Sequence, residues 1–396
     1  MDTQELAPGP LPADAATATL VGRIWDPEVR AARVVAVAGD YLVDLSGSVD
    51  SVSSLVERDD SVEVVRAGVE NGAAQRWPLE DVLAGSTDTA GANDLRLLAP
   101  IDLQVVKACG VTFVDSMVER LIEERCAGNP KLAAEMRERV TEAIGGSLAD
   151  LRPGSAAAAE VKQLLVEQGL WSAYLEVGIG PDPEVFSKAP VLASVGYGAG
   201  VGVPDFSSWN NPEPELVLVV DSRGAIRGAT LGNDVNLRDV EGRSALLLGK
   251  AKDNNASSAI GPFVRLFDAG FNLESVREEE ISLRVDGPEG YVMTGVNSVG
   301  RISRPFEELV AATHGVHHQY PDGFVLYTGT LFAPTADRGA PGLGFTHSYG
   351  DTVKISSPHL GTLLNTVRRM EDLEPWEYGI SEHIAGQRRI DRSRAR

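Results

Sequence analysis

The sequence predicts an α+β protein, in which a mixed, mainly antiparallel β-roll or sandwich domain follows a small β-rich N-terminal domain. Three observations predict it. At 396 residues the chain is too long for one small core, so two domains are expected. From Pro190 onward, strand-like segments follow one another at hairpin-like intervals. The long strand–helix alternation that marks a doubly wound parallel sheet is missing.

Taken in order, residues Leu20 to about Leu83 are short and β-rich: VGRIWD, ARVVAVAG, YLVDLS and VEVVRAG, each bounded by Gly, Asp or Ser. Gly85–Asp94 is small and polar, as a linker would be, and the domains are placed at 1–97 and 98–396. LRLLAPIDLQVVKACGV is another strand-like run. Asp115 to about Ile144 reads as helix, with Met117, Leu121, Ile122 and Cys126 at helical spacing, and Ala156–Glu167 reads as a second. The segments VLASVGYG, ELVLVVD, AIRGATLG, EEISLRVDG, YVMTGV, FVLYTGT and DTVKISSP are the expected strands of the larger domain.

Composition narrows the function. Lys plus Arg is 36 against 57 Asp plus Glu, a formal charge of −21, and so acidic a surface repels phosphate backbones and anionic lipid heads. Neither nucleic acid nor a membrane is expected as a partner. Cys109 and Cys126 fit neither a disulfide framework nor a CxxC site, and the first residues carry no basic start or apolar stretch. A protein of the reducing cytoplasm is expected.

Chemistry concentrates in Trp209–Asp239. Glu213 and Glu215 are two apart in a strand, so both carboxylates leave one face. If the turn lies at Asp221–Gly224, pairing Val220 with Ala225 sets Glu213 against Gly232, with Asp234 next on that face. A tighter turn pairing Ser222 with Ala225 sets Asp234 directly opposite Glu213. A three- or five-residue loop would send Asp234 to the other side. Three carboxylates with no neighbouring His or Cys form a hard oxygen site suited to Mg²⁺ or Mn²⁺; the plainer alternative is solvated acids flanking a hairpin. Three other signals carry less. GRSALLLGK has its glycines too far apart for a phosphate loop and reads as scaffold. The run Gly198–Gly202 lacks a following helix and reads as a loop beside the site, and His314, His317 and His318 sit beside a turn.

The segments PEPELVLVV, GNDVNLRD, GKAKDNNASSAIGPF, VLYTGT and GDTVKISSPHLGTLLNTV together resemble the fumarylacetoacetate hydrolase superfamily in order and spacing, over about Lys107 to Val367. The resemblance implies a catalytic domain of that fold, Mg²⁺ on Glu213, Glu215 and Asp234, and a catalytic lysine nine residues before Gly261, which is Lys252. It also implies a homodimer or homotetramer. Hydrolases of the superfamily show G-x-N-Y-x-x-H-x-x-E; here Ser116 stands where that histidine would be. The pattern of Thr112, Ser116 and Arg120, the segment Pro183–Lys188 and Trp209–Glu215 look instead like the 2-keto-3-deoxy-pentonate dehydratases.

That likeness implies a cytoplasmic dehydratase converting a 2-keto-3-deoxy-pentonate to 2,5-dioxopentanoate in pentose catabolism. The alternative is a C–C hydrolase or decarboxylase of an acylpyruvate or oxaloacetate-like acid. A 2-keto acid can chelate one divalent cation through its carboxylate and carbonyl oxygens, which favours loss of the C3 proton before the C4 hydroxyl leaves. Lys252 is expected as the base, its pKa lowered beside a dication, and Glu184 as the general acid. Ser116, Arg120, Lys188 and Thr330 are expected to hold the small-molecule substrate.

Overall fold

The computed structural model describes residues 9–126, 132, 151–167, 169, 171–331, 336–338 and 344–395. Of the expected helix from Asp115, the part to Arg125 lies in the helix Val114–Arg125, and positions 127–131 and 133–144 lie outside the described residues.

Strands β1 (Leu20–Asp26), β2 (Ala31–Ala38), β3 (Tyr41–Asp44), β4 (Arg76–Pro78), β5 (Arg96–Leu98), β6 (Val105–Gly110) and β7 (Glu184–Ala189) lie in the first half of the chain. They are followed by β8 (Gly200–Val203), β9 (Asn210–Asn211), β10 (Pro214–Val220), β11 (Ile226–Asp234), β12 (Asn236–Leu237) and β13 (Ser258–Leu266). Last come β14 (Glu280–Asp286), β15 (Val292–Ser298), β16 (Phe324–Tyr327), β17 (Thr352–Ser357) and β18 (Gly361–Arg369).

The larger sheet runs β4-β3-β2-β1-β13-β11-β10-β16-β6-β7, with β5 also on β1; the second runs β15-β14-β17-β18-β8, and β9 pairs with β12 in a short ribbon. Pairing is antiparallel except for β16 with β6 and β18 with β8, so the mixed, mainly antiparallel expectation is met. β1 pairs with β13 at Leu20↔Arg265 and Val21↔Val264, so the N-terminal strands continue the larger sheet.

Alternation along β10 divides the core. Leu216, Leu218 and Val220 pack with Ile281, Leu283, Val285, Val353 and Ile355 of the second sheet. Val217 and Val219 face the other way, in one cluster with Val52, Leu55, Val62 and Val65 of the helices Val52–Val56 and Ser61–Glu70. Glu213 and Glu215 have the parity of Val217, so the acids leave the sheet on the face turned away from the second sheet.

Two expectations are corrected. VEVVRAG is helix, not strand: Val62 and Val65 with Gly68 are buried at three-residue spacing, and the helical period outweighs the β-branched composition. VLASVGYG is not a strand either. Leu192 (φ 65°) and Gly198 (φ 82°) turn the chain out of the extended region, and the strand forms instead at Gly200–Val203, where a loop was expected. No helix among the described residues is long and apolar enough to cross a membrane.

Candidate metal centre

The β10–β11 hairpin settles the register. Pro214 pairs with Asn233 and Glu215 with Gly232, while the Asp234 amide donates to the Glu213 carbonyl at 3.1 Å. Asp234 therefore stands opposite Glu213. A β-bulge between Val219 and Val220 produces this register, without the Ser222–Ala225 turn, because Val220 pairs with Ile226. Glu213, Glu215 and Asp234 are 1–3% exposed and each offers an oxygen within 4.8 Å of the others.

Three cations, two of them buried, converge on these acids. Lys252 closes the short helix Leu248–Lys252, and its Nζ donates to Glu213 Oε2 at 2.5 Å and to Asp234 Oδ2 at 3.0 Å. Arg120, on the helix Val114–Arg125, donates to Glu213 Oε1 and lies 3.1 Å from Glu241 Oε2. Lys188 is wholly buried on β7. Its ammonium meets Asp234 Oδ1 at 2.7 Å, the Lys252 carbonyl at 2.6 Å, and the Val235 carbonyl and Ser257 Oγ at 3.2 Å each. Four protein acceptors for three N–H donors leave none directed at a substrate.

Electrostatics follow from burial. Desolvation pushes Glu215 well above the usual carboxylate range, aided by Asp234 and Glu213, and raises Glu213 against the pull of Lys252 and Arg120. Burial also opposes ionisation of Asp234, but Lys188 and Lys252 outweigh it and hold that carboxyl low. Burial disfavours the Lys252 ammonium, yet Asp234 and Glu213 more than compensate. With these acids alone as neighbours the lysine is thus held charged.

Glu184 opens β7 opposite Gly110 of β6, and the missing Cβ at Gly110 leaves the space that the Glu184 carboxylate occupies. Burial, then the Glu241 charge, pushes the Glu184 carboxyl up to about 7, with Arg120 and Lys252 pulling the other way and Glu213 adding to the rise. Gly329, in the left-handed region at φ 91°, donates its amide to Glu215 Oε2 at 2.7 Å. Thr330 follows it, buried. Ser116 lies in the first turn of the helix Val114–Arg125, and its side chain is outside the described residues. Thr112 Oγ1 donates to the Thr328 carbonyl at 2.6 Å and so braces the same loop.

Residues 162–368 match the family described as fumarylacetoacetate (FAA) hydrolase C-terminal. The chain is also 32% identical over 277 residues to a 2-dehydro-3-deoxy-D-arabinonate dehydratase of Saccharolobus solfataricus, covering 70% of this chain and 76% of that protein. The chain belongs to the fumarylacetoacetate hydrolase family. Another member, a probable 2-keto-3-deoxyxylonate dehydratase of Haloferax volcanii, is 33% identical over 201 residues, 51% of this chain and 65% of that protein. Among solved structures, a 2-keto-3-deoxy-D-arabinonate dehydratase complexed with magnesium and 2,5-dioxopentanoate shares the fold at a TM-score of 0.60 and 23% identity. That match covers 89% of this chain and 99% of the other.

Two residues of this family member's site escaped the sequence reading. Glu241, 3% exposed, ends the short helix that follows Asp234, and because the chain changes from strand to helix between them no single period relates it to the acids. Asn297, 1% exposed, reaches from β15 of the second sheet to the backbone that carries the site, on the face opposite the acids. Its Nδ2 donates to the Pro214 carbonyl at 2.8 Å and its Oδ1 accepts from the Leu331 amide at 3.0 Å. Strand pairing between β10 and β16 ends at Val217↔Tyr327, after which Thr328 bonds back to the Leu216 carbonyl and Gly329 to the Glu215 side chain. The Asn297 carboxamide spans the gap that opens beyond. Asn297→Leu, which loses two hydrogen bonds worth about 1 kcal/mol each, is expected to weaken divalent-cation affinity about tenfold, measured by titration calorimetry.

Proposed function

We propose that this family member is a Mg²⁺-dependent hydro-lyase that converts a 2-keto-3-deoxy-pentonate to 2,5-dioxopentanoate. The observation that carries it is an acid–base pair beside a hard-oxygen triad: buried Lys252 against Glu213 and Asp234, and part-buried Glu184 with its carboxyl raised to about 7. Two members 32–33% identical to it bear dehydratase names, which supports the reaction class.

The triad fits a divalent cation. Its donors are hard oxygens, and the buried cluster of Glu213, Glu215, Asp234 and Glu241 against Lys188, Lys252 and Arg120 has one more carboxylate than cations. When bound, Mg²⁺ supplies a Lewis acid for the carboxylate and carbonyl oxygens of the 2-keto acid and a counter-charge for the acids that hold Lys252 protonated. With Lys252 protonated and Glu184 neutral the site then carries a net single positive charge, which suits one substrate carboxylate and favours release of the Lys252 proton.

Lys252, as the free amine, takes the proton from C3. Glu184 gives its proton to the departing C4 hydroxyl, so that water leaves and a C3–C4 double bond remains. Transfer of a proton from C5 to C3 then gives the C4–C5 enol, and movement of its O–H proton to C4 leaves the aldehyde. Arg120, Thr330 and Ser116 are assigned to the substrate, and Lys188 to holding Asp234 in place. The proposal includes a cytoplasmic setting, a homodimeric or homotetrameric assembly and an N-terminal unit ending near residue 97.

Because the acid form of Glu184 is present below about 7 and lost above it, kcat is expected to fall as pH rises through that region. Glu184→Gln should lower kcat by about 10²-fold and erase that limb; a variant with wild-type turnover and the same limb would reassign the acid. The reaction class is tested by offering purified protein with Mg²⁺ both C4 epimers of 2-keto-3-deoxy-pentonate beside acylpyruvate and oxaloacetate. Semialdehyde from a pentonate is expected, and C–C cleavage of acylpyruvate without semialdehyde would overturn the proposal.

A further inference from the structure

The ribbon that carries the acids continues past them. β9 and β12 pair Asn211 with Asn236 and Asn210 with Leu237, in the same register that sets Pro214 against Asn233. Val235 packs in the core between the sheets with Ala229 and Leu231, so alternation holds across the break between β11 and β12. Asn211 therefore shares the face of Glu213, and Asn236 that of Asp234, each two residues or ~7 Å further along.

Both amides are buried, at 2% and 0% exposure. Asn211 Nδ2 donates to the Pro212 carbonyl at 2.9 Å, but Asn211 Oδ1 and both polar atoms of Asn236 have no hydrogen-bond partner among the described residues. Trp209 Nε1, two residues before Asn211, is likewise buried and unpartnered. Asn210, on the opposite face, is satisfied: its Nδ2 donates to Ser207 and its Oδ1 accepts from the His347 amide. Buried amide atoms without protein partners cost folding stability, so each calls for a reason, such as a ligand, ion or water that completes the bonds.

A carboxamide offers a donor and an acceptor without charge, which matches a hydroxyl group better than a carboxylate or a cation. We propose that Asn211 and Asn236 form the subsite for the hydroxyl-bearing end of the substrate, a neutral polyhydroxylated carbon chain whose 2-keto acid end lies at Glu213, Glu215 and Asp234. This inference rests on the dehydratase reading and specifies how that site selects a hydroxylated substrate.

The test uses Asn236→Leu and Asn211→Leu in the full-length protein with Mg²⁺. The KM for 2-keto-3-deoxy-pentonate is compared with the inhibition constant of 2-oxopentanoate, which has the same chain length and no hydroxyls, and the thermal midpoint is measured without ligand. Each variant is expected to raise KM about tenfold or more, leave 2-oxopentanoate inhibition unchanged and keep or raise the midpoint, since an idle buried amide has been replaced by an apolar group. Equal losses for both ligands, an unchanged KM or a lowered midpoint would overturn the subsite. So would failure of both variants to fold, because the fold would then need those amides. A wild type that binds 2-oxopentanoate but not the pentonate would also remove it, whereas a wild type that binds neither with Mg²⁺ would remove the dehydratase reading itself.

Discussion

Lys252→Met is expected to lower kcat by a factor on the order of 10² to 10⁴ while the protein still binds Mg²⁺. The ammonium lies 2.5 Å from Glu213 Oε2 and 3.0 Å from Asp234 Oδ2, so in the cation-free protein it occupies the charge environment that a dication would share. Removing it takes away the proton acceptor and also a competitor for the same oxygens, so Mg²⁺ affinity should hold or tighten. A lysine that served only as scaffold would leave buried carboxylates uncompensated, and its loss would weaken metal binding and thermal stability together. Turnover, Mg²⁺ affinity and the thermal midpoint on one preparation separate the two roles. Near-normal turnover would eliminate Lys252 as the base.

Glu215→Gln should weaken Mg²⁺ binding by a factor on the order of 10² or more, because it removes one of three charged oxygen ligands and keeps the side-chain shape. One oxygen of Glu215 is already committed to the Gly329 amide, so the substitution tests the charge of the carboxyl with little demand for rearrangement. Burial and the nearby Asp234 and Glu213 push this carboxyl well above its ordinary range, so the ligand-free variant should be no less stable than wild type. Calorimetry showing unchanged Mg²⁺ affinity would remove the triad as the cation site.

The triad was legible because a strand has a period of two: Glu213 and Glu215 had to share a face, and only the loop geometry decided whether Asp234 joined them. The bulge at Val219/Val220 made that decision, and bulges depend on packing that residue spacing does not encode. The helix Ser61–Glu70 was misread for a related reason. Val62, Val64 and Val65 favour a strand by composition, while burial on one face of a helix against the larger sheet determines the outcome. Lys188 was traced to the site but not to its place in it, since only the fold shows its ammonium enclosed by Asp234 and three further acceptors. Asn297 was illegible altogether. Its link to Pro214 spans 83 residues and two sheets, and no local pattern records it.

The most direct measurement is proton NMR of the purified protein with Mg²⁺ and 2-keto-3-deoxy-D-arabinonate. An aldehyde signal is expected that grows with time, stops growing on addition of EDTA and resumes when Mg²⁺ is restored. Aldehyde formation indifferent to EDTA, or pyruvate released in its place, would contradict Mg²⁺-dependent dehydration.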